Sequence, residues 1–278
     1  MRTNQPDGLA EVVAAPDFAG GEGALGLLWR FRAAWAALVL SDVSPAAAEA
    51  AASGAVAPQR QRAPAKSLQR PAPLGPDEGV TETLAIDAEM VGVGPRGALS
   101  ALARIAVVNS NGHVVYHSWA KPKFEVTDYR TWVSGVRAED IADAPPEDEV
   151  AAHVRSLLTN RVVVGHSVEC DLEALGVMDR GAALRVSLRD TAVYRPLCHG
   201  NGKPKKLRVL ARHELGLLIQ QPGEEHHPVD DARAAMYLYL KYRQQWDHAI
   251  QRSRKKSAGK SKRERRDFGA GLNLLKRR

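Results

Sequence analysis

Residues 83–90 read TLAIDAEM, an apolar run ending in two carboxylates, Asp87 and Glu89. A short apolar, β-rich run bounded by polar residues predicts a strand. Two apart on a strand, Asp87 and Glu89 point to the same face. Like charges side by side at the end of such a strand repel unless something positive sits between them. Outward from it lie Ala101–Val108 (ALARIAVV) and His113–Trp119 (HVVYHSW), separated by Asn111-Gly112. Asn-Gly between two β-rich runs is a strong hairpin signal. The first three strands are therefore expected as an antiparallel meander.

Further along, Glu147–Thr159 carries Val150, Val154, Leu157 and Leu158 at helical spacing. Arg161–Gly165 (RVVVG) has the continuous apolar character of a buried parallel strand. A helix over 168–177, a fifth strand over 184–188, a helix over 207–215 and a last helix over 229–246 follow. The expected fold is α/β: a mixed five-stranded sheet, three antiparallel strands then parallel β-α-β units, flanked by helices.

Composition separates three regions. Residues 1–79 are rich in Ala, Gly and Pro and read as a mostly disordered extension. Residues 80–248 form the folded domain, and 249–278 a basic tail. Residues 251–278 hold 12 Lys/Arg against 2 Asp/Glu, whereas residues 80–250 hold 20 against 22. The overall +7 charge is thus a property of the tail, which suits a polyanionic partner. Two cysteines, Cys170 and Cys198, exclude a disulfide framework and a four-cysteine zinc site. Ala24–Leu40, 17 residues interrupted by Arg30 and Arg32, falls short of the roughly 20 apolar residues of a membrane span. Asp7, Glu11, Asp17 and Glu22 argue against a transit peptide. Trp29, Trp35, Trp132 and Trp246 have no spacing of a base-stacking platform and read as core or interface packing residues.

Two more acids join the first pair. Asp171 follows the RVVVG strand, one turn into the next helix, and Asp231 lies in the first turn of the last helix, five residues after His226. Converging hard oxygen ligands suit Mg²⁺ or Mn²⁺. Two such ions about 3.5–4 Å apart can clamp the attacking and leaving oxygens of a phosphodiester. Histidine is the natural general base.

These acids and the histidine, in this order, occur in AIDAEMVGVGP (85–95), LARIAVVN (102–109), TDYRTWVSGV (127–136), VVGHSVECDLEAL (163–175), RDTAVY (189–194) and HHPVDDARAAM (226–236). On those stretches residues 80–246, about 60% of the chain, resemble the DEDDh 3′–5′ exonucleases of the ribonuclease H-like fold. The TDYRT-x-VSG stretch is similar to the branch of RNA exonuclease 4 and the interferon-stimulated 20 kDa exonuclease. The resemblance implies Asp87, Glu89, Asp171 and Asp231 as ligands of two Mg²⁺ or Mn²⁺ ions. It implies His226 as general base, because four residues separate it from Asp231. It also implies Met90 against the terminal nucleotide and Arg130 on the substrate backbone or ribose. Ala88 stands where the family usually has Cys, and its side chain is expected to point into the core, away from the acids.

The implied activity is release of nucleoside 5′-monophosphates from RNA 3′ ends, with single-stranded DNA as a second substrate and ribosomal precursors as a setting. A DNA-directed repair exonuclease and a non-catalytic RNA-binding protein on the same fold are the alternatives. Arg254–Lys256 and Lys262–Arg266 resemble a nuclear or nucleolar import signal, with an organellar or cytoplasmic location as the alternative.

Overall fold

The computed structural model describes residues 68–177 and 183–275, with side chains up to Ser253 and at Lys255. The stretch Ala24–Leu40 and residues 1–67 of the extension lie outside that range. Strand β1 (Thr83–Val93) pairs antiparallel with β2 (Leu99–Asn109), which pairs antiparallel with β3 (Val114–Trp119). The expected hairpin is there: the Asn109 side chain accepts the Asn111 and His113 N–H groups at 2.9 and 3.0 Å. Gly112 has φ 82°, and a Cβ there would fall 2.0 Å from the Tyr237 hydroxyl, so only glycine fits this turn.

The other edge of β1 carries two partners. A short strand, β4 (Val126–Asp128), pairs antiparallel with its end at Gly92 and Val93. Strand β5 (Val162–Gly165) pairs parallel with its start, and β6 (Ser187–Asp190) pairs parallel with β5. The sheet therefore has six strands, not five. Three residues of mixed polarity carry no periodic signal, and β4 exists because β1 runs three residues beyond Met90 and offers it an open edge.

Helices cover both faces. They are α1 (Thr131–Ser134), α2 (Ala138–Ala142), α3 (Glu147–Leu158), α4 (Glu169–Ala174), α5 (Leu207–Leu210, continued by a π turn, Ala211–Leu215) and α6 (Pro228–Leu275). Alternation along β1 sends Leu84, Ile86 and Ala88 into one core with Val150, Val154, Leu158 and Leu172. Ala85 lies in a second core with Ala106, Val164, Ala232, Ala235, Met236 and Tyr239. Ala88 thus points into the core, as expected. Trp246 packs in the second core, whereas Trp132 is exposed and lies outside the core.

The last helix does not stop at Trp246 but continues to Leu275. Its apolar periodicity marks only the packed part. Beyond it the Lys, Arg, Gln and Ala of the tail are strong helix formers, and proline is absent. Among the described residues no helix is long and apolar enough to cross a membrane.

Residues 68–79, assigned above to the extension because of their prolines, lie along the domain. Leu218 N–H donates to the Gln69 carbonyl at 3.0 Å and Leu74 N–H to the Asn111 carbonyl at 2.8 Å. The Tyr237 hydroxyl donates to the Ala72 carbonyl at 2.6 Å, and Asn109 Nδ2 to the Asp77 and Gly79 carbonyls at 2.8 and 2.9 Å. Proline removes a donor but leaves the carbonyls of such a strap available. With each bond contributing about 1 kcal/mol, and each kcal/mol worth about 2–4 °C in a domain of this size, a chain starting at Val80 should melt about 10–20 °C below one starting at Leu68. Equal melting temperatures by circular dichroism would show that the strap adds nothing.

Candidate active site

Asp87 and Glu89 lie on the face of β1 that looks toward α6, because Ala85 of the same alternation packs there. Asp171, in the first turn of α4, is 5% exposed, and its Oδ1 accepts the Ala88 N–H at 2.8 Å. Asp231, in the first turn of α6, is 1% exposed, and its Oδ2 accepts Gln220 Nε2 at 2.7 Å. His226 immediately precedes α6. Its N–H donates to the Val133 carbonyl of α1 at 2.9 Å, and its Nδ1 stands 3.8 Å from Asp231 Oδ2. One ligand atom each of Glu89, His226 and Asp231 lies within 4.8 Å of the others. Elements far apart in sequence thus meet at one seam between sheet and helix.

Burial, and then the charges of Asp231 and Asp171, push the Asp87 and Glu89 carboxyls well above the usual range. Asp171 is pushed up to about 8 by burial, against the opposing pull of the Ala88 N–H. Burial also raises Asp231 to about 7, with the Gln220 amide pulling the other way. Among the described residues, Glu89 Oε1 and Asp231 Oδ1 are buried without a hydrogen-bond partner. Orphaned buried carboxylate oxygens are costly. A hard divalent cation would satisfy both, and an all-carboxylate oxygen set fits such an ion.

Burial, followed by the charge of Arg208, holds the His226 imidazole below its ordinary value, so it is neutral at pH 7 and can accept a proton. His227 is exposed, and its carbonyl accepts the N–H groups of Asp230 and Asp231 at 2.9 and 3.1 Å. Its carbonyl caps the start of α6, and the contact with the Asp231 carboxylate belongs to His226.

The structure treats Met90 and Arg130, the other two residues implied by the resemblance, differently. Met90 follows Glu89 on β1 at a register shift and is part-exposed. Arg130 has a left-handed backbone, and its guanidinium donates to Ser100 Oγ and to the Gly97 carbonyl, each at 3.0 Å. It holds the end of the β1–β2 hairpin and takes no part in the carboxylate cluster. His166 Nδ1 lies 2.9 Å from Thr191 Oγ1, and burial lowers its imidazole to about 4. Asp190 accepts the Ser167 and Ala192 N–H groups at 2.9 and 2.8 Å, bracing the turn that leads into Asp171.

Two neighbours escaped sequence reasoning. Gln220 sits in a loop without periodicity, and nothing local marks it. Arg104 stands opposite Glu89 in the β1–β2 register, which the Asn-Gly turn between β2 and β3 does not set.

A mixed sheet in this order, with buried acids at its seam with the last helix, is the ribonuclease H-like arrangement of the DEDD exonucleases. The family model described as Exonuclease matches residues 84–239, and the chain belongs to that family. It is 42% identical over 177 residues to RNA exonuclease 4 of Mycosarcoma maydis, covering 63% of this chain and 46% of that protein. Against RNA exonuclease 4 of Homo sapiens it is 41% identical over 171 residues, covering 61% and 39%. The chain thus spans less than half the length of these two relatives. Among solved structures, the Saccharomyces cerevisiae Pan2 pseudoubiquitin hydrolase–RNA exonuclease module in complex with AAGGAA RNA aligns with a TM-score of 0.50 and 26% identity. That alignment covers 60% of this chain and 30% of that one.

The clustered like charges make a testable demand on stability. Saturating divalent cation should raise the melting temperature by about 3–8 °C, since a ligand that binds only the folded state stabilises it. In Asp231→Asn the metal-free protein should melt no lower than the wild type, and the cation-induced rise should largely vanish. A wild-type melting curve indifferent to the cation would remove the cluster as a metal site.

Proposed function

We propose that the chain is a metal-dependent 3′–5′ exonuclease that hydrolyses RNA to nucleoside 5′-monophosphates. The observation that carries this reading is the convergence of Asp87, Glu89, Asp171 and Asp231 beside His226, with two buried carboxylate oxygens left without partners among the described residues. The names of the RNA exonuclease 4 relatives and the RNA in the Pan2 complex support RNA as the polymer.

The four acids would hold two Mg²⁺ or Mn²⁺ ions. Such ions, when bound, polarise the phosphate and stabilise charge on the attacking and leaving oxygens. His226 is neutral and accepts the proton of the attacking water. The Asp231 carboxylate beside Nδ1 favours the imidazolium that results and leaves Nε2 for the water's proton. The Val133 carbonyl fixes the backbone of the histidine, so the base does not have to be ordered at each turnover. Water attacks phosphorus, the bond to the 3′ oxygen of the preceding nucleotide breaks, and the 5′-monophosphate departs. Met90, next in the chain to Glu89, would touch the terminal nucleotide, whereas Arg130 would have to exchange its present hydrogen bonds for substrate.

In magnesium, 5′-labelled RNA should shorten stepwise while 3′-labelled RNA gives labelled mononucleotide at once. Asp171→Asn should abolish turnover, and His226→Ala should lower it about 10²–10⁴-fold, with His227→Ala costing far less. Internal cleavage, or full turnover by Asp171→Asn, would overturn the reading. Single-stranded DNA offered in the same assay tests whether the sugar is discriminated. We further propose that the basic clusters of the tail direct nuclear import, in keeping with a role on ribosomal precursors. A tagged chain with Arg254, Lys255, Lys256, Lys262 and Arg263 changed to alanine should then lose nuclear accumulation, and an unchanged distribution would reject it.

A further inference from the structure

Strands β2 and β3 carry the carboxylate face of β1 outward. Glu89 stands opposite Arg104 and Asp87 opposite Ala106; on the next strand Arg104 stands opposite Trp119 and Ala106 opposite His117. Directly opposed residues share a face, with Cβ atoms about 5 Å apart. Two side-chain rows, Glu89–Arg104–Trp119 and Asp87–Ala106–His117, therefore lead from the acids toward the sheet edge.

Arg104 is the fixed point of these rows. Its Nε donates to His117 Nε2 at 2.9 Å, and its guanidinium carbon lies 4.4 Å from the centroid of the Trp119 ring. Burial first, and then the Arg104 charge, hold His117 below its ordinary value, so its ring nitrogen is free to accept. The in-plane bond and the stacking contact together set the plane of the guanidinium. Among the described residues Nη1 and Nη2 have no hydrogen-bond partner, and Arg104 has no ion pair. The charges of Glu89 and Asp140 reach it without bonding it, and exposed His227 lies within electrostatic range on the same side. A part-buried arginine stays charged, and a planar fork with two unused donors matches phosphate oxygens.

We propose that Nη1 and Nη2 of Arg104 bind a backbone phosphate of single-stranded nucleic acid beside the carboxylate cluster. His117 and Trp119 are the positioning residues of that arginine. The inference deepens the exonuclease reading, which supplies the polyanion, and it gives the strand a path across β2 toward β3.

The test uses the full chain carrying Asp171→Asn to block hydrolysis, with a fluorescein-labelled single-stranded RNA titrated over a potassium chloride series. Adding Arg104→Gln should weaken binding about tenfold and reduce the slope of log affinity against log salt by about 0.7, the contribution of one phosphate contact. Arg104→Lys, which keeps the charge but loses the fork, should keep the slope and weaken binding severalfold. His117→Ala, which frees the arginine, should also weaken binding and provides a readout if Arg104→Gln does not fold. An Arg104→Gln slope equal to that of its parent would overturn the proposal, as would full-strength binding by His117→Ala. Cation-induced stabilisation should persist in Arg104→Gln. Its loss, with the salt slope unchanged, would mean that Arg104 acts through Glu89, which also overturns the proposal. If the unmutated chain releases no mononucleotide but the slope still falls in Arg104→Gln, the exonuclease reading fails and the phosphate site stands.

Discussion

Four carboxylates gathered on one side of β1, three of them buried and Asp87 part-exposed, repel one another, and burial raises each above its ordinary range. A chain optimised for stability alone would not keep such a group, since unpaired buried charge is among the most expensive features a core can hold. The surrounding architecture offsets part of that cost. The Ala88 N–H reaches Asp171 and the Gln220 amide reaches Asp231, while two oxygens are left without partners among the described residues. Small side chains at Ala232 and Ala235 bring the first turns of α6 close to the sheet, which is what places Asp231 among the others.

The same seam explains the treatment of the segments before α6. His226 must sit beside Asp231 without being on the helix, so its backbone is tied to the Val133 carbonyl. Arg137 of the α1–α2 connection pairs with Glu225, the residue just before it. Arg70 of the N-terminal strap pairs with Glu224 and Asp230 on the other side, at 2.7 and 3.1 Å. These exposed ion pairs add little stability individually. Their geometric effect is to hold the chain on both sides of the histidine, so a side chain on a loop acquires a fixed position.

Residues outside the carboxylate set divide by what their side chains already hold. Arg130 is committed to Ser100 and Gly97, and Asp190 to the turn before α4. Arg104 has spent only its Nε. Two arginines of like sequence character therefore differ in what they have left to offer a ligand, and the difference lies in strand register, not in residue type.

The sequence by itself determined the parts that local chemistry controls. Alternation in TLAIDAEM set Asp87 and Glu89 on one face and Ala88 on the other, Asn111-Gly112 set the β2–β3 hairpin, and the RVVVG run set a buried parallel strand. Periodicity within a dozen residues is enough for each of these. Only the tertiary structure decided what depends on partners distant in the chain. It recruited β4 to the free edge of β1 and laid residues 68–79 along the domain. It also gave Asp231 its amide from Gln220, distinguished His226 from His227 by a single carboxylate contact, and set Arg104 across from Glu89. A local pattern states which face a side chain occupies; it is long-range pairing and burial that state what stands opposite, and in this protein the chemistry depends on what stands opposite.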